Sequence, residues 1–433
     1  MNTILASSLP TKKFIDPDSI SIPFHDIAHQ NVTALLKNDS AWILKNSVGP
    51  IGWRARKHFF KVSQKTHTCQ KHSQLSKLES QASTSSYKEG SNSDTEYLCS
   101  WIEFGQDKYV NDKELNTILK SLASIKHPFL YPIEYIQANE NGCMVIVKYH
   151  KKGSLKDLLC GCDNPLNTFS SKYGTTKGRM VNGLPLKDLA MYSRQILEAI
   201  RFLHSKGLPY GHLTTANIFI DKGIAKLSAI ENFLLGVPSF YRPFFVQNNK
   251  IQTMEQVDLF TFGHVVFEMQ STYSLQEPFI RSEITDCPVA LKSFLEMMIS
   301  KESLKSNFVT MEQILKHQFF TEFAQSYTKF HAEVEDIIKK ASAADIHGKD
   351  LIATVVQKTE QRLKDEQKLV KSQKRVVRVQ NEMMTSGEEE KKKQIKQKLK
   401  SQSSLQNGPI NFKLSLSESS QEQAENSSPK DTR

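Results

Sequence analysis

LKDLAMYSRQILEAIRFLHSKGLPYGHLTTANIFI, from Leu186 to Ile220, reads as a long amphipathic helix, a loop and a short strand. Leu189, Ile196, Ile200 and Leu203 recur at helical spacing, so one face of this helix is apolar and has to be buried. Gly207 stops it, and Ile218-Phe219-Ile220 is a short apolar run of strand type. Between them lies Tyr210-Gly211-His212-Leu213-Thr214-Thr215-Ala216-Asn217, a loop anchored at both ends by buried elements. Loops held in this way are where a fold places its chemistry.

The chain has 433 residues, 39% apolar and 24% charged, which suits one large two-lobed soluble domain with tails. No apolar run approaches the length of a membrane-spanning helix, and the start, MNTILASSLPTKK, lacks the apolar centre of a secretory signal. A cytoplasmic protein is expected, with recruitment to the plasma membrane open to it. The six cysteines are scattered, and Cys160-Gly161-Cys162 lacks the second ligand pair of a zinc site, so free thiols and no metal are expected. The formal charge is +11, and Lys358 to Lys400 holds 14 Lys/Arg against 7 Asp/Glu, so this segment alone carries +7. Such a run is a solvated helix face or a surface for acidic protein or membrane. It contains no aromatic residue for stacking bases, so no specific nucleic-acid binding is expected.

Residues 1–41 are polar and interrupted by proline, and are expected to be loosely ordered. A folded domain is expected over 42–324, with a Ser-, Gln- and Lys-rich disordered insertion at 63–96. Residues 325–400 have helical composition. Val356, Leu363, Val370, Val377 and Met384 fall every seven residues, but the companion positions Thr359, Glu366, Gln373 and Gln380 are polar. Half a seam predicts a single charged helix, or a segment that folds on a partner, rather than a coiled coil. Residues 401–433 read as a disordered tail.

The Tyr210–Asn217 loop resembles the catalytic loop of eukaryotic protein kinases, H-R-D-L-x-x-x-N, which supplies a base for the substrate hydroxyl and a magnesium ligand. Leu213 and Asn217 match that pattern, while His212 stands at the aspartate and Gly211 at the arginine. Lys148-Tyr149-His150-Lys151-Lys152-Gly153-Ser154-Leu155 resembles the kinase hinge, and Val257-Asp258 through Gly263 resembles the helix that begins D-x-W-x-x-G. The resemblance implies an α+β, bilobal protein-kinase-like fold, with a small β-rich lobe, a large helical lobe and disordered or helical tails. It also implies degenerate sites. Ala229 stands where the family has the metal-binding aspartate of D-F-G, and alanine has no oxygen for a hard cation. Trp101 falls at the strand lysine and Ile118 at the helix glutamate, although a shifted alignment would bring in Lys108 or Glu114. Gly49-Pro50-Ile51-Gly52 lacks the spacing of a phosphate-cradling glycine loop. No cofactor is expected, ATP–magnesium included, and Asn217 is the one remaining candidate for holding it.

Ile51-Gly-Trp-Arg-Ala-Arg-Lys57, Tyr210-Gly-His-Leu213, Ile230-Glu-Asn-Phe-Leu-Leu-Gly-Val-Pro-Ser-Phe-Tyr-Arg242 and Phe262-Gly-His264 narrow the resemblance to the slowpoke-binding protein and PX-domain-containing kinase-like protein family. About fifty residues precede Gly52, too few for a PX domain, so phosphoinositide binding is not implied. The resemblance implies a catalytically inactive scaffold or regulator that binds other proteins, among them a calcium-activated potassium channel and 14-3-3. Two alternatives stand beside it. One is an atypical active Ser/Thr kinase with His212 as base, or a pseudokinase that still binds nucleotide. The other is a membrane-surface adaptor working through the basic segment.

Overall fold

Five strands with side chains alternating between two buried faces build the first lobe. β1 (Trp42–Gly49), β2 (Lys57–Gln64), β3 (Tyr97–Glu103), β4 (Tyr135–Ala138) and β5 (Gly142–Lys148) form an antiparallel sheet in the order β1-β2-β3-β5-β4. The computed structural model describes residues 22–38, 41–49, 51–53, 57–65, 95–174, 183–280, 287–305 and 308–403. The expected insertion therefore falls largely outside the described residues, as does most of the expected tail. β2 runs to Gln64 and β3 starts at Tyr97.

The period-2 rule sorts the sheet's residues. Cys99 and Trp101 of β3 share a face with Phe60 and Val62 of β2 and with Met144 and Ile146 of β5. On the opposite face, Ile102, Cys143, Val145 and Ile136 join the helix Asp112–Ser124 and the large lobe in one continuous core. That helix is capped by the Asn111 side chain, which accepts from the Glu114 N–H at 2.9 Å.

The large lobe is organised on Met254–Ser271, opened by a Thr253/Gln256 capping box and buried on nearly every side, as a helix apolar all round must be. Leu186–Ser205 and Val289–Ile299 pack around it, and β6 (Ile218–Asp221) and β7 (Ile224–Leu227) form a hairpin beneath the sheet-bearing lobe. An isolated bridge from Leu130 to Leu227 ties the two lobes.

Two expected boundaries are corrected. Within 1–41, Ile22–Asn38 is a helix, and its Ala28, Val32, Leu35 and Leu36 cover the Trp101 face of the sheet. Those four residues lie at helical spacing, and Pro23 sits in the first turn, where the missing N–H is harmless. Residues 325–400 do not form a separate segment. The helices Ala324–Ala343 and, through residue 371, Lys349–Ser403 belong to the same compact unit as both lobes, residues 1–371. Val334, Ala341, Ile346, Ile352, Val355 and Leu363 enter the main core, and the polar companions Thr359 and Gln367 are buried with them. The buried stripe 352, 355, 359, 363, 367 has the 3.6-residue period of a helix laid on a globular surface. Gly348, at φ +78°, lets this strap start against the small-lobe helix, since a Cβ there would lie 2.8 Å from Ile118 Cγ1. Residues 372–433 form a second unit, helical as far as Ser403.

Candidate functional site

The Tyr210–Asn217 loop is held from below by Asp258, wholly buried on the central helix. The backbone N–H groups of Tyr210 and Gly211 donate to its two carboxylate oxygens at 2.8 and 2.5 Å, and His204 Nε2 lies 2.8 Å from Oδ2. Gly211 is at φ +71°, left-handed backbone that an arginine would adopt only under strain. Tyr210, Ile230 and Leu122 lie buried in the common core, and the Tyr210 hydroxyl donates to Ser228 O at 2.7 Å.

The groups that should do chemistry are turned inward or missing. His212 is 3% exposed, so its ring is not presented to a substrate hydroxyl. The Asn217 amide donates to His212 O at 2.8 Å and stiffens the loop. Ala229 is at φ +57°, a conformation unfavourable for residues other than glycine, asparagine and aspartate, yet its side chain has nothing to give a cation. Glu231, the nearest carboxylate after it, is buried at 2%. Among the described residues no three His, Cys, Asp or Glu side chains gather as a metal site would require.

The strand position is also corrected. Trp101 is wholly buried on the outer face, under the helix Ile22–Asn38, because β3 alternates. The inner-face residues are Leu98, Ser100 and Ile102, and Ser100 Oγ donates to Val145 O at 3.5 Å. A cation at Ser100, not Trp101, would reach the space between the lobes. Ile118 packs in the core beside Gly348. Neither residue of the shifted alignment restores the missing pair. Lys108 is bonded to Asp112 one turn along and lies over the Phe104 ring at 4.2 Å, and Glu114 belongs to the helix cap. This donor set does not fit a magnesium-bound triphosphate.

Several participants are not named by any motif. Lys57 of β2 lies on the inner face and, with Glu231, acts on the Cys143 thiol. Burial drives that thiol well up, the Glu231 charge adds to the rise, and Lys57 opposes it. Burial alone favours a neutral Glu268, but Lys156 at 2.9 Å, Ser274 and Thr215 outweigh it and hold the carboxyl below its usual range. Trp53, from the loop after β1, meets Phe240 edge-on at 5.4 Å, bringing that loop against the segment that follows Ala229. Period-2 alternation in Lys57-His-Phe-Phe-Lys-Val62 was the available signal for Lys57. Nothing local signals the Lys156–Glu268 pair, 112 residues apart.

An ionic cluster joins both lobes to the strap. Arg242 donates to Asp107 at 3.1 Å and, through two nitrogens, to Glu366 at 3.0 Å each. Arg362 donates to Asp107 at 2.6 Å and to Glu366 at 3.3 Å, and the Tyr109 hydroxyl adds a bond to Asp107. Glu360 accepts from the Met254 N–H at 2.9 Å, placing an anion at the central helix's N-terminus. The Gln367 amide donates to Asn248 O and Ile251 O at 2.9 and 2.7 Å.

A family model for protein tyrosine and serine/threonine kinases matches residues 96–231, which run from β3 through the linker and the loop to Glu231, so this is a protein-kinase-like domain. Its homologues include PX domain-containing protein kinase-like proteins and slowpoke-binding protein. The mouse PX domain-containing protein kinase-like protein is 32% identical over 380 residues, covering 88% of this chain and 59% of that protein. Slowpoke-binding protein of Drosophila melanogaster is 30% identical over 178 residues, 40% of this chain and 33% of its own length. A Dictyostelium discoideum protein named probable inactive serine/threonine-protein kinase slob2 is 31% identical over 222 residues, 49% of this chain and 35% of its own. The chain thus spans less than two thirds of these relatives' length.

Proposed function

We propose that this chain is a catalytically inactive protein-kinase-like scaffold that works by binding other proteins, and that it uses neither ATP nor magnesium in catalysis. The observation that carries this reading is the site's donor set: Ala229 at the metal position, Ser100 and Ile118 facing inward, and His212 buried. Phosphoryl transfer depends on positioning and charge neutralisation, so losing the metal ligand and the cation of β3 removes most of what the fold would contribute. A base alone typically contributes about 10²–10⁴-fold and has nothing here to assist. The names of the relatives, kinase-like and probable inactive kinase, support the same reading. Purified protein incubated with ATP, magnesium and peptide or protein substrate should transfer no more phosphate than a buffer blank. Transfer above the blank that disappears in His212→Ala would establish the active-kinase alternative instead.

By likeness to slowpoke-binding protein, the partners we propose are a calcium-activated potassium channel and 14-3-3, met in the cytoplasm and at the plasma membrane. No described helix is long and apolar enough to cross a membrane. Residues 372–403 carry nine Lys/Arg against four Asp/Glu, a charge that draws acidic protein or lipid surfaces and is screened over about 8 Å at physiological salt. Channel-fragment pull-down by the full chain should therefore weaken as salt rises, while that by a chain ending at Lys371 should depend less on salt. Identical affinity and salt dependence for the two chains would leave the basic segment without a role. Sedimentation with acidic liposomes tests the membrane-adaptor alternative with the same pair.

A further inference from the structure

We infer that the position a purine ring would take between the lobes is filled by the chain's own Tyr131, whose hydroxyl occupies the linker carbonyl a purine amine would need. This deepens the reading of an inactive domain and rests on it. A planar base held between two lobes needs an apolar slot and free backbone groups on the connecting segment. Here the slot is already built from three elements. Phe219 comes from β6 of the large lobe, His150 from the linker, and Tyr131 from the stretch that follows the small-lobe helix. The Tyr131 ring lies 4.7 Å from Phe219 at an interplanar angle of 36°, and His150 lies 5.5 Å from Phe219. The Tyr131 hydroxyl donates to Lys148 O at 3.0 Å, where β5 passes into the linker.

Tyr131 is fixed at its other end as well. Its N–H donates to Leu227 O at 2.7 Å, next to the Leu130–Leu227 bridge, so its backbone is pinned to the large lobe. The side chain is 8% exposed, and burial, with help from the charges of Asp221 and Glu134, pushes the phenol up to about 12. The hydroxyl therefore stays a donor at any physiological pH. An entering purine would have to displace the aromatic contact and the hydrogen bond that Tyr131 already makes. Removing the ring, by contrast, leaves an aromatic-lined space, and apolar cavities of about benzene size take up aromatic ligands.

The test uses adenosine without magnesium, so that the missing metal ligand and phosphate anchor play no part. The full-length chain should show no shift in melting temperature up to millimolar adenosine. Tyr131→Ala should gain a rise of about 2 °C or more at saturation, with adenosine and not with ribose, because a ligand that binds only the folded state raises its stability. A rise in the unaltered chain overturns the inference, and so does a cooperatively melting Tyr131→Ala that ignores adenosine. Should Tyr131→Ala lose its cooperative melt, Tyr131→Leu keeps an apolar neighbour for Phe219, frees the Lys148 carbonyl, and is judged by the same two criteria. Adenosine binding to the unaltered chain with blank-level phosphate transfer sinks this inference alone, whereas phosphate transfer sinks the reading of an inactive domain.

Discussion

A chain ending at Ala344 should lose its cooperative melt or fall by at least about 10 °C, while one ending at Lys371 should melt with the full-length protein. Ile346, Ile352, Val355 and Leu363 are each no more than 2% exposed. Burying such side chains is worth about 1.5–3 kcal/mol apiece, so removing them withdraws on the order of 6–12 kcal/mol as an upper estimate. A whole domain's net stability is about 5–15 kcal/mol. The same truncation uncovers Ile118, which packs against the strap's entry at Gly348. It also leaves Arg242 and Asp107 without Arg362 and Glu366, and the carbonyls of Asn248 and Ile251 without the Gln367 amide. Because Asp107 follows β3 and Arg242 follows the Ala229 segment, the strap fixes the small lobe and the large lobe to one another. The measurement is thermal unfolding of the two truncations beside the full chain. Equal melting of the Ala344 chain would show that the strap is peripheral. A scaffold benefits from this arrangement, since the surface offered to a partner then does not depend on a ligand closing the cleft.

The large lobe is legible in the sequence because its signals are local. Leu189, Ile196, Ile200 and Leu203 mark a helix face, and Asp258 and Gly263 sit in one helix that is apolar all round. The loop between Tyr210 and Asn217 is legible for the same reason, as are the losses at His212 and Ala229. Trp101 marks where local reading fails. Counting along a strand gives a position to within one residue, and one residue turns a side chain to the opposite face. The strap shows a second limit. Val356, Leu363 and Val370 at seven-residue spacing with Thr359 and Glu366 between them predict a weak seam, but Thr359 and Gln367 are buried because the large lobe, whose Ile251 lies 116 residues before Gln367, supplies their surroundings. Tyr131 is a third case. Its neighbours Phe219 and His150 lie 88 and 19 residues further along, and only the fold brings the three rings together.

Replacing Asp258 should cost about 3–5 kcal/mol and reverse the way stability depends on pH near neutrality. The wholly buried carboxylate satisfies two backbone N–H groups and the His204 ring, so Asp258→Ala leaves all three without their acceptor. Burial lowers the His204 pKa, but the hydrogen bond to Asp258, its charge and that of Glu255 raise it more, and the net shift is upward from 6.5. A group whose pKa is raised by folding binds more protons in the folded state, so its contribution is complete below about 6.5 and is lost as pH rises through the folded value. In Asp258→Asn the charge and most of the hydrogen bonding disappear while burial remains, so the His204 pKa should drop below its unfolded value. Its contribution to stability then grows with pH instead of shrinking. His127 and His264, lowered by burial to about 4 and about 3, titrate alike in both proteins, so the difference between the native chain and Asp258→Asn from pH 6 to pH 8.5 isolates His204. Urea midpoints for the two proteins across that range should converge as pH rises. Parallel curves would mean that His204 is neutral throughout and that Asp258 serves the backbone N–H groups alone.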